Sequence, residues 1–127
     1  MLPRGEFFYR SYAMTEFIGY ALIEMIQPFN IFLMIIGLTG GIVVGALPGL
    51  TATMGVALMV PVTFAMDPAS GLIMLGAIYI GGIYGGANSA ILICTPGTPS
   101  SVVTTFDGWP MCQNGNADDA LNVSLIS

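Results

Sequence analysis

The sequence predicts an all-α integral membrane protein, in which an interfacial amphipathic helix precedes two or three transmembrane helices with Pro-Gly broken or re-entrant segments. Three observations carry that prediction. Of the 127 residues, 55% are apolar and only 7% are charged, whereas roughly a quarter of residues are charged in a typical soluble domain. No charge occurs between Glu24 and Asp67, and none between Asp67 and Asp107. The mean hydropathy of +0.86 then belongs to a chain whose main solvent is lipid rather than water.

Residues 1–10 read as a polar, aromatic-rich lead-in. Over 11–27, Met14, Phe17, Ile18, Ala21, Leu22, Met25 and Ile26 recur at helical spacing, with Thr15, Glu16 and Glu24 on the polar side and Pro28 as a stop. This helix is expected to lie along the membrane interface. Interfacial helices are usually rich in Lys and Arg, which this one is not, so packing against the rest of the protein is equally open. A spanning helix needs about 20 mostly apolar residues to cross a hydrocarbon core of about 30 Å. Segments 29–47, 50–66 and 69–93 approach that length. A secretory signal peptide does not fit, because the long apolar runs begin only near Phe29 and no polar mature domain follows.

Within the first apolar segment, Gly37, Gly41 and Gly45 share one helix face; within the third, Gly81 pairs with Gly85 and Gly82 with Gly86. Such faces let another helix approach closely, and helix packing is the expected role. Substrate passage along a smooth glycine face is the other reading. Pro48-Gly49 separates the first two apolar segments, and Thr51 or Thr53 can cap the helix that restarts. Asp67-Pro68 reads as an N-cap with proline at the first helical position, which accounts for Asp67 without a transport role. A second break spans Thr95, Pro96, Gly97, Thr98, Pro99, Ser100 and Ser101, where Thr98 and Pro99 read as cap and first position of a short helix ending near Asp107-Gly108. The broken segment is thus 95–106, a polar turn-rich loop follows over 107–119, and residues 117–127 start a further helix with Asp118 and Asp119 in its first turn. Ending inside that helix, the chain is expected to be the N-terminal part of a longer protein, or a short product of a longer reading frame.

The chemistry open to such a chain is limited. A net charge of −5 with only Arg4 and Arg10 as basic residues excludes nucleic-acid binding. Without histidine, and with Cys94 and Cys112 far apart, neither a zinc site nor a histidine-based triad has material; the cysteines read as small apolar fillers. No nucleophile has a base beside it, so the chain is not read as an enzyme. In lipid, an interrupted helix is tolerated only where it is buried in protein or lines a wet cavity. Transporters use such interruptions to aim helix N-termini at an anion and freed carbonyls at a cation. Pro48, Gly49, Thr51 and Thr53 at one break, and Thr95, Pro96, Gly97, Thr98 and Ser100 at the other, are the candidate substrate- or ion-binding residues. Simple turns at the membrane surface are the competing reading. Asn88 and Ser89, deep in the third segment, are further candidates, with helix-to-helix hydrogen bonding as their alternative. No Lys, Arg or His lies between Phe29 and Phe106 and no acid sits centrally in the spans, so an anion would meet dipoles and cations. That favours a sodium ion over a carboxylate-based proton path as coupling ion, with no other cofactor.

Five motifs in order resemble the N-terminal part of the large membrane subunit of tripartite tricarboxylate transporters, the TctA type. They are Gly45-Ala46-Leu47-Pro48-Gly49-Leu50-Thr51-Ala52-Thr53; Val60-Pro61-Val62-Thr63-Phe64 with Met66-Asp67-Pro68; Tyr84-Gly85-Gly86 with Ser89-Ala90-Ile91-Leu92; Pro96-Gly97-Thr98-Pro99-Ser100; and Asp107-Gly108-Trp109-Pro110-Met111. The resemblance implies a multi-pass permease of the bacterial inner membrane, driven by an ion gradient, that takes up small carboxylates such as citrate. It also implies two partners, a small membrane subunit and a periplasmic substrate-binding protein. This chain departs from the family in carrying Cys94 where an amide is common, Trp109 where Tyr is common, and no basic residues around Cys112-Gln113-Asn114. The last departure removes charges that would place that loop in the cytoplasm, while Arg4 and Arg10 favour a cytoplasmic N-terminus. A purely structural or assembly role, with no substrate site in this part of the chain, is the alternative function.

Overall fold

The computed structural model describes residues 4–126, with side chains from Tyr12 onward. It contains six helices: α1 (Arg4–Ile26), α2 (Pro28–Ala46), α3 (Ala52–Thr63), α4 (Pro68–Ile93), α5 (Ser101–Gln113) and α6 (Ala117–Ile126). Both α2 and α4 are long and apolar enough to cross a membrane. At about 1.5 Å per residue they measure about 28 and 39 Å, whereas α3, with 12 residues, rises only about 18 Å.

Local chemistry sets these boundaries. Pro28 and Pro68 occupy first-turn positions, behind the extended residues Gln27 (ψ 136°) and Asp67 (ψ 144°). Asp67 stands at the expected cap position, but its side chain makes no capping bond; its backbone carbonyl accepts from Gly71 N at 2.9 Å instead. At the other end of α2, Leu47 is extended ahead of Pro48, and Gly49 adopts φ +92° to turn the chain. Helix α3 stops short of the expected 50–66. Thr51 caps its start, accepting from Met54 N at 3.3 Å, and near its end Pro61 has no N–H to offer the preceding turn. The chain then leaves through tight turns in which Ala65 N donates to Val62 O and Met66 N to Thr63 O.

Helix α4 is the axis of the fold, and its glycines set the register of its neighbours. A Cβ on Gly37 would meet the Met74 carbonyl at 2.9 Å and Ala77 Cβ at 3.0 Å; one on Gly41 would run into the Ile78 carbonyl, and one on Gly45 into the Gly82 carbonyl. From the other side, Gly81 lies against the Leu38 carbonyl and Gly85 against the Ile42 carbonyl. Numbers rise together along both helices, so α2 and α4 are parallel. Contacts between α3 and α4 run the opposite way: Ala52 meets Gly82, Gly55 meets Ile78, and Thr63 meets Gly71. Thus α3 is the antiparallel return between two parallel helices. The glycine faces are filled by backbone, which leaves no smooth channel along them.

A polar clasp closes the opposite end. Asn30, 2% exposed, donates from Nδ2 to the Glu24 carbonyl at 2.7 Å and accepts at Oδ1 from Ser70 Oγ at 2.7 Å. One side chain therefore ties the last turn of α1 to the first turns of α2 and α4, adding a second donor to a helix-end carbonyl that also accepts from Gln27 N at 3.2 Å. Leu33, Met74 and Ile78 form the small apolar cluster one level further in.

Two further helices depart from the sequence reading. Helix α1 begins at Arg4 rather than at residue 11, and its apolar side chains are not covered: Phe17, Ile18 and Leu22 are exposed, as are Tyr12, Tyr20 and Ile23 elsewhere on its circumference. Helix α5 continues through residues 107–113, where a polar loop was expected. Gly108 lets it lie on Ile91, whose Cγ1 a Cβ there would meet at 2.7 Å. The loop shrinks to Asn114–Asn116. It is a Schellman turn, with Asn116 N donating to Met111 O, Gly115 N to Cys112 O, and Gly115 at φ +86°.

Two outcomes follow for the solubilised protein. Gly41→Ala forces a methyl group into the Ile78 backbone and is expected to destabilise by about 1–3 kcal/mol, whereas Gly40→Ala, with open space around it, should leave the thermal midpoint unchanged or slightly raised. Asn30→Ala strands the Ser70 hydroxyl and removes the side-chain link to the Glu24 carbonyl, which keeps its bond from Gln27 N, and should cost about 1–3 kcal/mol in the same measurement.

Candidate functional site

The two breaks in the chain meet at one place. Gly97, from the second break, lies on the Gly45 carbonyl near the end of α2, and a Cβ on it would be 3.1 Å from Gly86 Cα on α4. Gly86 in turn faces Thr98, whose N and Oγ1 a Cβ would meet at 3.3 Å. Gly82, one turn earlier, faces Ala52 at the start of α3. So the overlapping glycine pairs of α4 divide their work: Gly81 and Gly85 receive α2, Gly82 meets both Gly45 of α2 and Ala52 at the restart of α3, and Gly86 receives the tip of the second break. The level of Gly86 is seven residues short of Ile93, where α4 ends, or about 10 Å along the axis. Residues 94–98 therefore double back beside α4 before α5 departs in the same direction as α4, with Thr98 at Gly86 and Gly108 at Ile91.

The reversal begins at Cys94, which adopts φ 54°, ψ 27°. Among the described residues it is the non-glycine with positive φ. Its N–H and that of Thr95 both turn back to the Ser89 carbonyl, and Thr95 Oγ1 donates to the Ile93 carbonyl at 3.1 Å. The amide that the resemblance places at this position suits a left-handed conformation better than a thiol does. At the tip, the Ser101 hydroxyl holds both backbone groups of Thr98: Thr98 N donates to Ser101 Oγ at 3.1 Å, and Ser101 Oγ donates to the Thr98 carbonyl at 2.7 Å. The expected cap at Thr98 is not formed: its hydroxyl pairs with Ser100, its carbonyl accepts from Ser101 N in a tight turn, and the α-helix proper starts at Ser101, behind Ser100, rather than at Pro99.

The candidate residues fall into three environments. Gly97 and Thr98 are buried at the meeting point; Thr51, Thr95 and Pro96 are half-buried; Pro48, Gly49, Thr53 and Ser100 are exposed. Hydroxyls pair at both breaks, Thr51 with Thr53 at 2.7 Å and Thr98 with Ser100 at 3.1 Å. Ser89 is turned into its own helix, donating to the Gly86 carbonyl at 2.9 Å. Asn88 differs, because its Oδ1 is buried with no hydrogen-bond partner among the described residues, a condition that asks for a donor or a cation.

Chemically, the arrangement brings the N-termini of α3 and α5 and the last carbonyls of α2 to the same stretch of α4. Helix N-termini carry partial positive charge and C-termini partial negative charge, so anion and cation could both be met there without a basic side chain. The fold and this geometry define a class: an all-α membrane protein with interrupted helices gathered on a central span. Comparison with known proteins narrows it. The profile of the Tripartite tricarboxylate transporter TctA family matches residues 31–127, and the chain is 45% identical over 101 residues to an uncharacterized 52.8 kDa protein from the TAR-I ttuC' 3' region of Agrobacterium vitis. That alignment takes in 80% of this chain and 20% of the relative, so the chain spans about a fifth of the relative's length. No solved structure is a significant match. The chain belongs to the tripartite tricarboxylate transporter TctA family, whose members are transport proteins and not enzymes, and it is a multi-pass protein of the bacterial inner membrane.

Relieving the left-handed residue tests the local geometry. Cys94→Gly should raise the thermal midpoint, by the equivalent of up to about 1 kcal/mol, and Cys94→Asn should do so less; Cys94→Val should lower it.

Proposed function

We propose that this chain forms the first part of the permease subunit of a tripartite secondary transporter that takes up tricarboxylates or related small carboxylate anions, driven by an ion gradient. In this reading it works with a small membrane subunit and a periplasmic binding protein that delivers the substrate. The observation that carries the proposal is the gathering of both interrupted segments on Gly82 and Gly86. Simple surface turns have no reason to pack on one stretch of one helix. Dipoles of α3 and α5 would face the carboxylate, with Thr51, Thr53, Thr98 and Ser100 supplying hydroxyls, and the α2 carbonyls and Asn88 Oδ1 would suit the coupling sodium. Helices α2 and α4 cross the bilayer, α3 is the return between them, and α1 lies at the interface with its exposed apolar residues in the lipid boundary.

A second reading, a scaffold whose substrate site lies wholly in other parts of the permease, is favoured by the close backbone packing at every glycine of the α2–α4 seam. One experiment separates the two. With the complete permease, its membrane partner and its binding protein expressed together, Thr51→Val and Thr98→Val should each reduce labelled tri- or dicarboxylate uptake at least about tenfold, or 1.4 kcal/mol, at wild-type abundance in the membrane. Unchanged uptake at that abundance would establish the scaffold, and no uptake of any carboxylate by the intact wild-type complex would remove the transporter reading.

A further inference from the structure

Helix α4 gives a common scale of depth, because each neighbouring element is pinned to one of its residues. Asn30 and Ser70, each the third residue of its helix, are hydrogen-bonded at 2.7 Å, so α2 and α4 start at one level. Gln27, Asp67 and the Glu24 carbonyl stand at that same end. Further along, Gly45 and Ala52 both rest on Gly82, and Gly97 lies against Gly86. At 1.5 Å per residue these levels are about 21 and 27 Å from Pro68. Helix α3 then carries the chain back, with Thr63 against Gly71 only about 5 Å from the start.

The chain continues well past the level of the breaks. Gly108 of α5 lies on Ile91, about 35 Å from Pro68, and the residues from Gly108 to Gln113 rise at most about 8 Å more. The Schellman turn at Asn114–Asn116 is therefore about 35–42 Å from the level of Pro68. With Gln113, Asp118 and Asp119 around it, this end is as polar as the other. A bilayer is about 40–45 Å thick with its headgroups and about 30 Å in its hydrocarbon core, so the two polar ends match its two faces. Between the breaks and the far turn come Leu92 and Ile93 of α4 and Val102, Val103 and Phe106 of α5. Such residues belong in hydrocarbon or packed protein, not in a headgroup layer. A surface turn at Pro48-Gly49 would push all five, and the polar turn behind them, out of the membrane.

We infer that α2 and α3 form a re-entrant hairpin that enters and leaves by one face of the membrane, with its Pro48–Thr51 tip inside the hydrocarbon layer and residues 64–67 and 114–116 on opposite faces. This refines the crossing given above for α2, which passes the midplane and turns back; the net crossing is made by α4 with α5. The second break adds no crossing, since residues 94–98 return only from the end of α4 to Gly86 before α5 sets out again. Both interruptions thus lie at one depth inside the membrane, where their backbone groups are met by protein, by an enclosed aqueous recess or by a bound solute. The inference rests on the transport reading only for the crossing by α4, and gives that reading a depth: a solute at the breaks is held within the layer and not at its surface.

Sidedness and depth can be measured separately in the complete permease, its native cysteines replaced, with single cysteines at Ala65→Cys, Asn114→Cys or Leu47→Cys. All three positions are exposed, and thermal midpoints equal to the parent's verify that the fold survives. A membrane-impermeant maleimide should label Ala65→Cys and Asn114→Cys from opposite faces, one in right-side-out and the other in inverted vesicles. Labelling of both from one face would overturn the inference, as would a turn that reacts only after solubilisation. For depth, a gadolinium chelate carried on lipid headgroups relaxes a nitroxide according to its distance from the headgroup plane, whether or not water is nearby. A nitroxide at Leu47→Cys should be relaxed severalfold less than one at either turn; relaxation equal to that at Asn114→Cys would place the break at the surface and overturn the hairpin. Neither readout needs uptake. The expected pattern in a complex that transports no carboxylate would keep the topology and remove the uptake reading, and an active complex with both turns on one face would do the reverse.

Discussion

Everything in this chain hangs on the contact between two backbones. Apolar side chains gain nothing by leaving lipid for one another, so helices in a bilayer associate through close van der Waals approach and polar contacts. The α2–α4 seam obtains that approach by removing side chains: Gly37, Gly41 and Gly45 on one side and Gly81 and Gly85 on the other each face a carbonyl or amide of the partner helix. At Gly41, a Cα hydrogen is aimed at the Ile78 carbonyl, the weak polar contact that helix interfaces in membranes use repeatedly. The Asn30 clasp fixes the sliding register at one end. With the seam set, the end of α2 can only fall beside Gly82 to Gly86, and that decides where the first break lies.

The second break reaches the same level for a different reason. Cys94 reverses the chain, its neighbours hold the reversal through the Ser89 carbonyl, and Gly97 and Gly86 remove the side chains that would keep the returning strand away. Four glycines of α4 thus serve three partners: Gly81 and Gly85 the helix α2, Gly82 the start of α3, and Gly86 the irregular backbone of the second break. This division explains why a single helix can organise both interruptions. It also explains why the polar groups concentrate at one end of the seam, where backbone groups outside regular helices need partners.

Much of this was legible in the sequence. The two long spans follow from length and hydropathy, and the helix starts at Pro28 and Pro68 from proline chemistry. Glycine spacing announced close packing, but could not tell that α2 and α4 run parallel or that Gly82 and Gly86 face elsewhere, because spacing reports a face and not its partner. The 107–113 segment was misread through composition: Asp107, Gly108, Pro110 and Gln113 resemble a loop in one dimension, whereas Gly108 is the contact that seats the helix on Ile91. A sharper signal was Gly115 flanked by asparagines, the mark of a helix stop. Asn30 and Ser70 are forty residues apart, and nothing local announces their bond. The convergence of the breaks likewise belongs to three dimensions, since Gly45, Gly86 and Gly97 stand on separate elements.

The parallel arrangement of α2 and α4 has a consequence for biosynthesis. The partner of Gly37 lies near Met74 and Ala77, and the partners of Gly45 still later in the chain, so α2 leaves the ribosome with its glycine face unmatched. At ordinary rates of synthesis the wait lasts on the order of seconds, during which the bare backbone stripe and the Asn30 Oδ1 that Ser70 later meets face lipid, the insertion machinery or the headgroup region. Helix α3 arrives first but mainly packs on α4, not on α2, so it cannot relieve the wait. Maturation is therefore a single late event in which α4 enters, the seam closes and the first break is pinned, rather than a helix-by-helix accretion. A nascent chain interrupted between α3 and α4 would display a glycine-lined surface in the membrane and would be an obvious substrate for quality control.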